Sequence, residues 1–209
     1  MIEKAADAPP DGATRIQREK REAILEAALT VFSQEGFRGA TLDRIALEAG
    51  LSKPNLLYYY ASKEAVHEQL LRRLLHIWLD PLEAMDPHGE PLAEIMGYVR
   101  AKLELARRYP RESRLFANEI LQGGPRIRPV LEGELRGLVD SRAALLRRWI
   151  DEGRIAAVDP VHVFFSIWAL TQHYADFDVQ VRAVLGPETD PFPAAQAHLE
   201  QVFSRLLAP

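Results

Sequence analysis

Apolar residues recur along this chain at steps of three and four rather than at alternate positions. Ala23, Ile24, Ala27, Ala28, Val31 and Phe32 form one such stripe, the spacing of a helix that buries a single face. Gly36 predicts its stop, because glycine takes up the positive φ that often ends a helix without a Cβ penalty. The same periodicity predicts helices near 42–49, 53–60, 63–85, 91–108, 111–122, 129–152, 160–184 and 193–207. Breaks fall at Gly50, Ala61-Ser62, Pro87-His88-Gly89, Tyr109-Pro110, Gly123-Gly124-Pro125, Gly153, Asp159-Pro160 and Gly186-Pro187, residues that stop or restart helices. No run alternates like a strand and no internal repeat stands out, so the expectation is an all-α fold.

Helix length divides the chain. Residues 1–14, rich in Ala, Pro, Asp and Gly, read as a flexible tail; the short, closely connected helices of 15–61 read as a small module; the longer apolar helices of 62–209 read as a bundle. In the small module, TLDRIALEAGLSKPNLLYYY reads as helix, tight turn, helix. Thr41 can cap the first helix, which buries Leu42, Ile45, Ala46 and Ala49, and Gly50 ends it. Ser52 can cap the second, where Pro54 is tolerated because first-turn amides have no intrahelical acceptor to lose. Leu56 and Tyr60, four apart, face inward, leaving Lys53, Asn55, Tyr58 and Tyr59 outward.

A helix-turn-helix of this kind places the N-terminal residues of its second helix against base edges in the major groove, here Lys53, Pro54 and Asn55. Tyr58 and Tyr59 would lay their rings on the groove wall and donate to phosphate. Ser62 caps the following helix, whose free amides and Lys63 form a further phosphate clamp. The spacing also fits a plain helical hairpin with exposed tyrosines.

Charge adds a local rather than a global signal. The chain has 209 residues, 47% of them hydrophobic, a net charge of -4 and no cysteine. That composition supports a globular core, excludes a disulfide framework or thiolate metal site, and argues against a surface coated for nucleic acid. Yet Arg15, Arg18, Lys20 and Arg21 face only Glu19 in one short segment, which can steer towards phosphate or simply begin a solvated helix. Without an apolar leader or an 18-residue apolar run, the expected place is the cytoplasm, with no membrane contact.

The run AALTVFSQEGFRGATLDRIALEAGLSKPNLLYYYASKEAV, within Ala23 to Leu70, resembles the DNA-binding domain of the TetR family of one-component regulators. The resemblance implies a homodimer on palindromic double-stranded operator DNA, a three-helix DNA-binding domain and a C-terminal domain for ligand and dimerisation. It carries DNA contacts to Thr41, Arg44, Lys53, Pro54, Asn55, Tyr58, Tyr59 and Lys63. The family's usual ending, Leu-Tyr-Tyr-His-Phe, is altered: Leu57 replaces the first tyrosine, Tyr59 the histidine and Tyr60 the phenylalanine. Any base contact by Leu57 is therefore apolar.

In the bundle, FFSIWALTQHYADF sets Trp168, Gln172 and Asp176 four apart on one helical face, flanked by Ser166, His173 and Tyr174. Such polar groups amid aromatics suit a flat heterocycle, or satisfy one another at a helix seam. Trp78, Phe116, Asn118 and Glu119 offer further walls and hydrogen-bonding groups. LLHIWLDPL, YVRAKLELARRYPRESRLFANEIL, IDEGRIAAVDPVH and IWALTQHYADF resemble family members that regulate pyrimidine utilisation with uracil as effector. On that resemblance the ligand contacts are Trp78, Trp168 and Gln172, then Phe116, Glu119 and Tyr174. Ala117-Asn118 departs from the bulkier residues expected there, which leaves thymine, a related heterocycle or another small metabolite open.

Val161, Phe164, Phe165, Trp168, Leu199, Val202, Phe203 and Leu206 give the last helices enough apolar face for a four-helix twofold seam, with burial inside one chain as the alternative. The expected mechanism passes an effector-driven shift along the helix from Ser62 to Met85. Two rival classes remain: a helical enzyme and an interaction protein without DNA binding. No nucleophile elbow, phosphate loop, metal-ligand spacing or cofactor motif supports the first, and His67 and His76, nine apart, read as surface residues. The intact Lys53, Tyr58, Tyr59 and Lys63 set argues against the second.

Overall fold

The structure is a computed structural model that describes residues 14–209. The tail expected over 1–14 lies outside the described residues except for Thr14, which belongs to a helix start. Its hydroxyl accepts the Gln17 N–H at 3.3 Å while the Gln17 side chain accepts the Thr14 N–H at 2.8 Å, a reciprocal cap that satisfies two amides at once.

Helix α1 (Arg15–Gly39) follows. Gly36 takes φ 67 and ψ 172 and kinks it, so three further residues continue beyond the predicted stop. Ala23 proves exposed, whereas Leu25 and Leu29 join Ile24, Ala27, Ala28, Val31 and Phe32 in the core. Helices α2 (Leu42–Glu48) and α3 (Lys53–Tyr59) are joined by Gly50 at φ 65. The Leu51 N–H donates to the Ala46 carbonyl at 2.8 Å and the Gly50 N–H to that of Leu47 at 3.1 Å, the paired bonds of a Schellman ending. This turn fixes the angle between α2 and α3 and so the direction in which α3 projects.

The bundle comprises α4 (Lys63–Glu83), α5 (Pro91–Arg108), α6 (Pro110–Leu121), α7 (Arg128–Val130), α8 (Arg136–Asp151), α9 (Pro160–Asp176), α10 (Asp178–Leu185) and α11 (Phe192–Leu207). Two predicted helices differ. The helix expected over 129–152 contains a π-helical turn at Leu131–Leu135 between α7 and α8. The one expected over 160–184 breaks at Phe177, whose φ of -114 and ψ of 30 leave the helical region without any Gly or Pro to announce it. The Phe177 ring stacks on His173, centroids 5.1 Å apart.

Helix α9 packs against α5, α6 and α8, and α11 closes on α5. One contiguous apolar core runs from α1 through α4 into this bundle. No strand occurs among the described residues, and no helix among them is long and apolar enough to cross a membrane. Two helices of the bundle, α4 and α6, both reach α1. Whatever α6 lines is therefore one helix away from the helix-turn-helix.

Candidate functional site

Helix α3 presents Lys53, Pro54, Asn55, Leu57 and Tyr58 to solvent, Tyr58 at 70% exposure, while Leu56 and Tyr60 anchor it in the core. Ser52 caps it, its hydroxyl accepting the Asn55 N–H at 3.4 Å, and Thr41 caps α2 by accepting the Arg44 N–H at 3.2 Å. The half-buried Tyr59 meets Tyr58 edge to face at 5.1 Å. Arg21, near the start of α1, lies 5.9 Å from the Tyr59 centroid and 5.4 Å from that of Tyr60. The basic start of α1 is thus drawn to the tyrosine face of α3, a long-range contact that no local pattern announced.

Lys53 pairs with Asp43 at 2.9 Å and Arg44 with Glu35 at 3.3 Å. Exposed pairs of this type are worth about 0–1 kcal/mol, so a phosphate can replace the carboxylate at little cost. Lys63 departs from its expected role. Its half-buried ammonium donates to the carbonyls of Phe37 and Ala40, both at 2.8 Å, and lies 4.5 Å from the Phe37 ring centroid. It holds the frayed end of α1, where carbonyls lack intrahelical donors, rather than facing solvent.

The bundle holds a cavity of about 540 Å³ that is partly open to solvent. Trp78 of α4 meets Phe116 of α6 edge to face at 4.9 Å, and Trp168 of α9 completes the aromatic wall. Trp168 is held in place by donating its indole N–H to the Tyr98 hydroxyl at 2.6 Å. Gln172, Ala117 and Asn118 line the space, as do Leu131 and Leu135 at the two ends of the π-helical turn. Four expected contacts, Trp78, Phe116, Trp168 and Gln172, are thus brought together.

Glu119 and Tyr174 are not among the residues that line it. Glu119 is buried and turned to the loop after α6, where it accepts the Arg126 backbone N–H at 3.0 Å and its guanidinium at 2.8 Å. Tyr174 faces α11 and packs on Phe192, centroids 6.1 Å apart. The cavity also gains Lys102 of α5, Arg114 of α6 and Asp176 of α9. Lys102 was legible in principle: it interrupts the buried stripe of Tyr98, Val99, Leu103 and Ala106, where a lysine has no structural reason to sit.

His67 corrects a further expectation, being buried rather than on the surface. It meets the Phe32 and Phe37 rings at 4.6 and 4.9 Å, and burial lowers its pKa to about 4. The residues expected at a dimer seam divide by exposure within the one chain. Phe164, Leu199 and Phe203 are buried within their own bundle, whereas Phe165 (49%) and Leu206 (42%) remain exposed.

Comparison with known proteins agrees with this architecture. Residues 24–70 match the family model described as bacterial regulatory proteins, tetR family, and residues 71–209 match that described as YcdC-like protein, C-terminal region. Over 167 residues the chain is 52% identical to the HTH-type transcriptional regulator RutR of Escherichia coli K12, covering 80% of this chain and 79% of that protein. Over 152 residues it is 29% identical to the HTH-type regulator YfiR of Bacillus subtilis, covering 71% and 74%. The solved structure of SCO4942 from Streptomyces coelicolor shares 26% identity at a TM-score of 0.70 over 90% of this chain and 98% of that one. The ketosteroid regulator KstR2 of Mycobacterium tuberculosis, at 22% identity and a TM-score of 0.66 over 91% and 96%, shows the shared fold alone. With its helix-turn-helix and its bundle both matched, the chain belongs to the TetR family of bacterial regulatory proteins and is a transcriptional regulator.

Proposed function

We propose that this regulator binds palindromic operator DNA as a cytoplasmic homodimer, through residues 15–61, and that residues 62–209 take an effector of the uracil type and form the dimer. On the DNA side, Lys53, Pro54 and Asn55 meet base edges, while Arg44, Tyr58 and Tyr59 meet phosphates and Thr41 holds α2 in place. Two α3 helices about 34 Å apart would enter successive major grooves. Lys63 acts indirectly, by fixing the end of α1. The protein is assigned no catalytic step, cofactor or metal.

The observation that carries the effector reading is the cavity: Trp78, Phe116 and Trp168 wall a space into which Gln172 projects. Aromatic walls with few polar groups suit a flat ring. The small Ala117 and the polar Asn118 leave room for a substituted ring beside them.

Coupling to DNA follows from α6 as well as from α4. Phe116, Ala117 and Ile120 of α6 line the cavity. The same helix touches α1 through Arg111, which donates to Glu26 at 2.7 Å and to Thr30 at 3.3 Å. An effector that closes the cavity would move α6 and α4 against α1 and change the spacing of the two α3 helices. A differential of about 1–3 kcal/mol between the two spacings changes operator affinity 5- to 150-fold. Release of DNA by the effector is the expected sign.

Calorimetry of the purified protein with uracil, thymine and cytosine tests the effector, with Gln172→Ala as control. Saturable uracil binding that Gln172→Ala abolishes supports the reading. Silence with all three bases removes the pyrimidine assignment, and an operator shift assay then tests the DNA assignment separately.

A further inference from the structure

One end of the cavity carries charges that its aromatic wall does not require. Lys102 is only 4% exposed, lines the cavity, and makes no hydrogen bond through Nζ among the described residues. Its ammonium lies 5.7 Å from the centre of the Trp78 ring. Asp176 stands one helical turn beyond Gln172 on α9, against which α5 packs. Its Oδ1 accepts the Ser113 hydroxyl at 2.6 Å, and no described residue donates to Oδ2. The two charges attract each other without a direct hydrogen bond, so each keeps hydrogen-bonding capacity that the surrounding apolar bundle does not meet. Both open onto the same space.

Arg114, the third charged residue that lines the cavity, donates to the Ala175 carbonyl at 3.0 Å; the opposite signs of Lys102 and Asp176 say what would satisfy them. An anionic ligand would gain from Lys102 but meet repulsion from Asp176, and a cation the reverse. A neutral ligand that offers an acceptor to one and a donor to the other satisfies both. Gln172, four residues before Asp176 and on the same face, adds an amide that donates or accepts.

We propose that this end of the cavity recognises a planar cyclic imide, whose edge reads carbonyl, N–H, carbonyl. Lys102 donates to one carbonyl, the Asp176 carboxylate accepts the imide N–H, the Gln172 amide donates to the other carbonyl, and Trp78 and Trp168 hold the ring. The inference rests on the reading of this cavity as the effector site. It makes Lys102 and Asp176 the specificity-determining residues. Cytosine, with an amino group in place of one carbonyl, would set a donor against the ammonium. A methyl group on the imide nitrogen would remove the donor that Asp176 needs. Burial lowers the pKa of Lys102 to about 8 and raises that of Asp176, because desolvation disfavours both charged forms.

The test is calorimetry of the full chain with uracil, 3-methyluracil and cytosine, on the natural protein and on Lys102→Met and Asp176→Asn. The unaltered protein should bind uracil at least about tenfold more tightly than the other two bases, the cost of a buried group left unpaired. Each variant should lose at least about tenfold for uracil while retaining operator binding and a melting temperature no lower than that of the natural protein. Cytosine or 3-methyluracil binding as tightly as uracil would overturn the imide assignment, and that comparison needs no variant. Unchanged uracil binding by both variants would overturn the roles of Lys102 and Asp176 yet leave the cavity as the effector site. Failure of the unaltered protein to bind uracil would overturn the imide and the effector reading together.

Discussion

The guanidinium of Arg126 lies 3.5 Å from the centre of the Phe37 ring, joining the loop after α6 to the kinked end of α1. Its other partner is Glu119, one turn along α6 from Phe116 and outside the cavity lining. Helix α6 therefore links the effector space, through Phe116, to the support of the helix-turn-helix, through Glu119 and Arg126. Arg126→Ala should leave effector binding nearly intact but bring the ratio of operator affinities with and without effector close to one. Operator titrations at zero and saturating effector measure that ratio; a ratio equal to that of the unaltered protein would exclude this route and leave α4 as the link.

Lys102 should make the protein less stable than it need be. Its pKa, about 8 when folded against an ordinary 10.5, means that the unfolded chain binds more protons between those values. Stability accordingly rises with pH across that window, and below pH 8 the full cost of the buried charge is present. Lys102→Met should stabilise the effector-free protein at pH 7 by about 1–3 kcal/mol and flatten the alkaline rise. Urea unfolding at pH 7 and pH 10, at one protein concentration, checks both.

His67 gives the opposite end of the pH scale. It is buried between Phe32 and Phe37, and desolvation holds its pKa near 4 against 6.5. The unfolded state therefore binds the extra proton first, and stability is lost as pH falls from about 6.5 towards 4. His67→Leu should weaken that part of the acid dependence, as thermal melts between pH 7 and pH 4.5 would show. An unchanged slope would assign it to other groups.

On the DNA face, Lys53→Ala should weaken operator binding and lower the slope of log affinity against log salt by about one. Tyr59→Ala should weaken binding and also remove one of the two rings beside Arg21. Lys63→Ala should behave differently, lowering the melting temperature because the Phe37 and Ala40 carbonyls lose their donor, with little change in salt slope. Operator titrations at several salt concentrations separate the three; equal slopes in all would remove Lys53 from the phosphate contacts.

The sequence by itself determined the helices, their punctuation by Gly50, Ser52 and Ser62, and the inward placing of Leu56 and Tyr60, because caps and apolar periodicity are properties of neighbours along the chain. The family resemblance brought Trp78, Phe116, Trp168 and Gln172 forward as one site, together with Glu119 and Tyr174. Which face of a helix meets which other helix depends on the crossing of α4, α5, α6 and α9, and no local pattern encodes that. Tertiary packing alone therefore turned Glu119 towards Arg126, Tyr174 towards Phe192 and Lys63 onto the end of α1, sank His67 between two phenylalanines, and brought Lys102 and Asp176 into the same cavity. A charged side chain in an apolar stripe can be seen in the sequence, but its partner lies on another helix, and its meaning appears only once the chain has folded.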